Sequence, residues 1–182
     1  MKLTPAMEGA VLHWGEMGER WGVNRTVAQI HALLYLVARP MDAEEIARTL
    51  SVARSNVSNS LRELQNWGLV SANHVIGGRR DYYECVDDVT VMFQLIMDER
   101  KRRELDPTIE ALQACIALSR TDGRKEVGTT RQLNKLHKFL IQLSDCYEFF
   151  RVVPPDQLLK LVKMGSRTAQ SVVPGRLVAA SR

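Results

Sequence analysis

The run MDAEEIARTLSVARSNVSNSLRELQNWGLVSANHVIGGRRDYYEC, from Met41 to Cys85, decides the fold. Asp42 stands where a carboxylate caps a helix, and Glu44 and Glu45 follow in the first turn, where the helix dipole favours acids. Ile46, Ala47 and Leu50 form the apolar stripe of that helix. Ser51-Val52-Ala53 is a turn, and a second helix follows from about Arg54 to Trp67, with Gly68 at the position of a left-handed C-cap. Its core stripe is Val57, Leu61 and Leu64. Arg54, Ser55, Ser58, Asn59 and Arg62 fall on a separate polar stripe, at ~3.6 residues per turn. Leu69-Val70 begins a strand, Gly77-Gly78-Arg79-Arg80-Asp81 makes a turn and Tyr82 to Cys85 returns. Two helices joined by a tight turn and followed by a basic hairpin describe a winged helix-turn-helix, whose commonest use is binding duplex DNA.

The outer face of the second helix separates that use from plain solvation. A merely solvated helix is rich in Glu and Lys, which favour helix and solubility. Residues 54 to 62 instead carry Arg, Ser, Asn, Ser, Asn, Ser and Arg, mediocre helix formers that hydrogen-bond well to base edges and phosphates. The expected DNA contacts are Arg54, Ser55, Asn56, Ser58, Asn59 and Arg62 on the helix, with Asn56 near the backbone. Arg79 and Arg80 on the wing are expected to touch phosphate or the minor groove.

The rest of the chain is helical in pattern. A first helix from about Pro5 to Arg20 carries Met7, Ala10, Val11, Trp14, Met17 and Trp21 on one face, and Gly22 breaks it. Asn24 caps the next, lined by Val27, Ile30, Leu34 and Val37, and Pro40 ends it. Ala28 and Ala32 make a flat strip suited to close backbone approach. After the wing, Val91, Met92, Leu95 and Ile96 line a long helical stretch that leads into the charged passage from Asp98 to Glu104. Arg100 to Arg103, set among acids at helical spacing, read as a surface laced with ion pairs. Pro107 marks a kink or a fresh N-terminus, with Asp106 as cap. Leu133, Leu136, Leu140, Leu143 and Tyr147 form a seam wanting a partner helix. The expected layout is an N-terminal dimerisation helix (1–21), a winged helix-turn-helix DNA-binding domain (22–86), a helical dimerisation region (87–165) and a tail (166–182). The fold class is mainly α with a small β-hairpin wing. The helices outside the head carry more apolar surface than it covers, and a homodimer answers this by setting two reading helices about one turn of B-DNA apart, ~34 Å.

Net charge is +4 over 182 residues, but its placement matters more. Residues 40–85 hold five basic and six acidic residues, whereas 123–182 hold eleven basic and four acidic. Bulk basicity thus gives the DNA reading no support, which rests on where a few arginines point. No apolar run approaches the ~20 residues of a membrane span, and the N-terminus lacks a secretory pattern, so a cytoplasmic protein without membrane partners is expected. The four histidines, His13, His31, His74 and His137, are scattered. With no phosphate loop, catalytic constellation or metal-spaced cluster, neither an enzyme nor a cofactor is expected. Cys85, Cys115 and Cys146 read as small buried hydrophobes. Two alternatives stand beside DNA regulation: a winged-helix protein-interaction scaffold without specific DNA binding, and a thiol-based redox-sensing regulator.

The series Ile46-Ala47, Arg54-Ser55-Asn56-Val57-Ser58, Leu61-Arg62-Glu63-Leu64, Trp67-Gly68-Leu69-Val70 and Arg80-Asp81-Tyr82-Tyr83-Glu84 resembles the GbsR branch of the MarR superfamily, over about residues 20–100. These are bacterial winged-helix repressors, and the best-known control choline and glycine betaine metabolism or uptake. The resemblance implies a homodimeric repressor with operator DNA as partner. It also implies a small organic effector held between the head and the dimer helices. A quaternary ammonium there needs aromatic faces, each worth ~0.5–2 kcal/mol. Trp14, Trp21, Tyr35 and Phe93 are the aromatics expected to supply them.

Overall fold

The computed structural model describes residues 1–74, 80–121 and 127–154, with positions 157, 160, 164 and 165. Its elements run α1 (Pro5–Arg20), α2 (Arg25–Val37), β1 (Met41–Asp42), α3 (Ala43–Leu50), α4 (Arg54–Asn66), β2 (Val70–His74), β3 (Asp81–Cys85), α5 (Val89–Arg100), a π-helical turn (Lys101–Leu105), α6 (Asp106–Thr121) and α7 (Val127–Val152). Helices and a small antiparallel sheet make this a winged helix. The chain divides into two compact units, Met1–Glu99 and Arg100–Arg182.

In the first unit α1, α2, α3 and α5 begin where the sequence supplies a side-chain cap, and α4 does not. Thr4 Oγ1 accepts from the Met7 amide, Asn24 Oδ1 from Thr26 and Asp88 Oδ1 from Thr90 and Val91. The core gathers Ile30, Leu33 and Leu34 of α2, Met41, Ile46 of α3, Val57, Leu61 and Leu64 of α4, Leu69, and Met92 of α5. The head is therefore packed with flanking helices of its own unit, which reaches beyond 22–86 on both sides. α1 lies on α2 at the alanine strip: a Cβ built on Gly18 would stand 2.5 Å from the Ala28 Cβ, so only glycine permits that approach. α2 stops at Val37, before Pro40, because Ala38 turns left-handed at φ 50° and its amide closes onto Leu34.

The wing has a strand that periodicity does not reveal. Met41 pairs with Tyr83 and Asp42 with Tyr82, giving a three-stranded sheet in the order β1-β3-β2. Two residues are too few to show alternation. The β2–β3 register runs from Val70 opposite Cys85 to His74 opposite Asp81.

In the second unit α6 and α7 form a helical pair. The π-helical turn precedes Pro107, and the Asp106 amide bonds to the Lys101 carbonyl five residues back. Lys101 Nζ lies 2.8 Å from Asp106 Oδ1 and 3.3 Å from Glu148 Oε1 of α7. Arg100 pairs with Glu104 at 3.2 Å, the intrahelical pairing that the charge spacing suggests. The seam expected along α7 divides in two. Thr130, Leu133, His137, Leu140, Ser144 and Tyr147 are half-buried, and Thr130 Oγ1 bonds to Ser119 of α6 at 3.1 Å, so this stripe faces α6. Leu136 and Leu143 lie on a second, exposed stripe. Cys115 and Cys146 are exposed, not buried, since each lies off its helix's packed stripe. Among the described residues no helix is long and apolar enough to cross a membrane.

His31 of α2 is buried at 4% exposure, its Nε2 has no hydrogen-bond partner among the described residues, and the Trp14 ring lies 6.5 Å away. Burial lowers its pKa to about 4, from 6.5. The folded state thus refuses a proton that the unfolded state accepts below pH 6.5. The neutral ring's stabilisation is complete above that pH and is lost as pH falls from 6.5 through 4, on the order of 3 kcal/mol in all. Urea midpoints measured at pH 7.5 and 4.5 should fall further for the wild type than for His31→Leu. Equal falls would mean that the ring is charged or hydrated in the fold.

Candidate nucleic-acid interface

Helix α4 is held from beneath. Val57, Leu61 and Leu64 are at most 1% exposed, and with them Ser60 is buried, so Ser60 leaves the outer face on which its neighbours in sequence placed it. Arg54, Ser55, Asn56, Ser58, Asn59 and Arg62 are all exposed. The side chains of Arg54 and Arg62 take part in no ion pair among the described residues, leaving both guanidinium groups with free donors. Ser58 is more committed, because its hydroxyl donates to the Arg54 carbonyl at 3.1 Å. Ala53 gives α4 no side-chain cap, so the first-turn amides near Arg54, Ser55 and Asn56 remain open donors of the kind that bind phosphate. At the other end Gly68, at φ 75°, turns the chain sharply into the wing.

The wing meets the helix pair through Asp42. Its Oδ1 accepts from the Glu44 and Glu45 amides at 2.9 and 2.7 Å, and its Oδ2 from Arg80 Nη1 at 2.8 Å. Burial alone would raise the carboxyl's pKa; those amides and the guanidinium together hold it below the usual range. Arg80 Nη2 also reaches Glu44 Oε2 at 3.5 Å. Arg80 therefore joins the third strand and the cap of α3, at the foot of the wing. Arg79 lies outside the described residues. Asp42, Ala43, Glu44, Arg54, Arg80, Asp81 and Tyr83 line a cavity of about 240 Å³, so the start of α4 and the foot of the wing open onto one space. Glu84 on the wing accepts from Asn73 Nδ2 at 2.7 Å and Ser71 Oγ at 3.4 Å, and His74 Nδ1 lies 3.0 Å from Asp81 Oδ1.

The Asp42–Arg80 link is the feature that residue patterns miss. Asp42 is legible as a cap, but a partner 38 positions away leaves no local signature.

The aromatics expected around an effector are dispersed. Trp14 stands beside His31, Trp21 is the C-cap of α1 and Phe93 is exposed on α5. Tyr35, half-buried against the core, lines a cavity of about 230 Å³ with Leu34, Ala38, Arg39, Pro40, Glu84 and Cys85, and the other three do not line it. Burial and the Asp87 carboxylate push the Cys85 thiol up to about 11, which leaves it almost wholly protonated and poorly reactive.

Residues 15–81 match the model of the MarR family. A solved transcriptional regulator superposes with a TM-score of 0.62 at 18% identity, over 87% of this chain and 99% of its own. A MarR-family transcriptional regulator from Rhodococcus sp. RHA1 superposes with a TM-score of 0.36 at 14% identity, over 92% of this chain and 86% of its own. The archaeal chromatin protein TrmBL2 gives 0.46 at 21% identity, over 63% of this chain and 45% of its own. No curated protein matches the chain at a significant level. With α3, the turn, α4 and the wing strands in place, the chain carries over residues 15–81 the winged helix-turn-helix matched by the MarR family model.

Proposed function

We propose that the protein is a sequence-specific, ligand-responsive transcriptional repressor that binds operator DNA as a homodimer. The observation that carries this reading is the outer face of α4: Arg54, Asn59 and Arg62 are exposed above a fully packed stripe, on a fold matched by the MarR family. A scaffold that docks proteins has no need of an Arg/Ser/Asn face with unpaired guanidinium groups. α4 enters the major groove, and its open first-turn amides take a phosphate. Arg80 sets the wing's angle through Asp42, and phosphate contact from the wing falls to Arg79. The residue resemblance supports a GbsR-like regulator, and the space around Tyr35 is the starting point for an effector search. The raised Cys85 pKa speaks against a redox sensor working through that thiol.

Binding to a duplex drawn from the promoter of its own gene tests the reading. Each neutralised phosphate adds about −0.9 to the slope of log affinity against log salt, so a dimer making several such contacts should show a slope of about −4 or steeper. A flat dependence, or no binding at about 50 mM salt, would turn the assignment to the scaffold.

A further inference from the structure

The cavity of about 230 Å³ beside Tyr35 is bounded by the last turn of α2, the segment leading into β1 and the end of β3. Its charges do not cancel. Arg39 is the one cation among the described residues that line it, and Glu45 already holds that guanidinium at 2.6 and 3.2 Å. The Pro40 carbonyl takes a further Arg39 hydrogen at 3.1 Å. Glu84 and Asp87 add two carboxylates to the wall. Glu84 accepts from Asn73 and Ser71 on Oε1 alone, and both donors are neutral. Asp87 is exposed and takes part in no ion pair among the described residues. The end of α2, the negative pole of a helix dipole, adds to the same field, and its last turn holds no basic residue. Cys85, also in the wall, stays a neutral thiol.

We propose that this cavity binds a small organic cation that carries N–H donors, a primary diamine being the simplest. The proposal rests on the ligand-responsive reading and names the chemistry of its ligand. Two carboxylates without a cation of their own select positive charge. The kind of cation follows from what else the wall offers. A quaternary ammonium, the ligand that the family resemblance suggests, has no hydrogen to donate and is held by ring faces. Tyr35 is the one ring among the described residues that line this cavity, so it offers a single face and no cage. Carboxylate oxygens are its leading feature instead, and a primary ammonium brings three donors to such acceptors. The two carboxylates match two ammonium ends, and Tyr35 and Pro40 give apolar surface to the methylenes between. The cavity is also wired to the proposed DNA face. Glu84 bonds across the wing to Ser71 and Asn73 of β2, and Arg39 bonds to Glu45 in the first turn of α3. An ammonium that draws on the Glu84 carboxylate competes with those wing bonds.

Isothermal titration of the full-length chain with 1,4-diaminobutane, choline and the neutral 1,4-butanediol, at fixed ionic strength, tests this. The diamine should bind at least about tenfold tighter than choline, and the diol should give no heat. Glu84→Gln combined with Asp87→Asn removes both charges and keeps shape and hydrogen-bonding oxygens. That variant should hold the diamine about tenfold more weakly or worse, with an unchanged circular dichroism spectrum. No heat from the diamine, or choline bound as tightly, would overturn the proposal. So would a diamine affinity that the double variant leaves unmoved, because the amine would then sit on another surface. Operator binding is read separately. The diamine should release operator from the wild type and not from the double variant, a comparison that subtracts amine bound to the duplex itself. Diamine held through Glu84 and Asp87 with operator affinity unmoved would remove the ligand-responsive reading and leave the site standing. A protein that binds no duplex would remove the repressor reading, and the titration would still decide the cavity.

Discussion

Replacing Arg62 or Asn59 with alanine should leave the protein folded and take away its preference for one DNA sequence. Both side chains are exposed and lie on the face of α4 opposite Val57, Leu61 and Leu64, so truncation opens no cavity. Neither anchors a neighbour: Arg62 takes part in no ion pair among the described residues, and its removal strands no buried charge. What each has to give is hydrogen bonding to a base edge, Arg to guanine and Asn to adenine, worth ~1–3 kcal/mol of discrimination per pair. Operator affinity should fall by roughly tenfold to a hundredfold, and affinity for a scrambled duplex should move far less. Ser58→Ala should matter less than either, because that hydroxyl's proton is already donated to Arg54. Fluorescence anisotropy with operator and scrambled duplexes, beside thermal melts, measures both parts. An unchanged ratio of the two affinities would show that another surface reads the sequence.

The legibility of the site follows the range of its interactions. α4 and its two faces can be read because helical periodicity, a left-handed glycine and a run of Arg, Ser and Asn are all local signals. Ser60 misleads because it is polar, yet its position three after Val57 puts it on the packed side, and periodicity outranks polarity there. The two-residue strand Met41–Asp42 and the Asp42–Arg80 pair lie in long-range pairing, where a single chain gives no pattern to count. Asp42 shows how one residue can be both legible and hidden. Its role as a cap depends on Glu44 and Glu45, two and three residues away, whereas its role at the wing depends on residue 80. α7 makes the same point in the helical unit. Leu133, Leu136, Leu140, Leu143 and Tyr147 announce an amphipathic helix. Dividing them between a packed and an exposed stripe needs the position of α6, which Thr130 and Ser119 establish in three dimensions.

Leu61→Ala should have the opposite outcome to its neighbour Arg62→Ala. Leu61 is 1% exposed and belongs to the cluster that holds Ile30, Leu33, Ile46, Val57 and Leu64 at essentially full burial. These side chains come from α2, α3 and α4, so a void at position 61 cannot close by shifting one helix. Truncation removes three carbons from a packed site and leaves a cavity, and such changes cost about 2–5 kcal/mol. That is a large share of the ~5–15 kcal/mol that keeps a domain folded. The urea midpoint should drop sharply with little change in slope, because the surface exposed on unfolding is nearly the same. At low temperature, where the variant is still folded, its discrimination between operator and scrambled duplex should match the wild type, since no residue of the proposed DNA-contact face has changed. Should Leu61→Ala lose less than about 1 kcal/mol, α4 would not be pinned by this cluster, and the separation of a packed face from a reading face would fail with it.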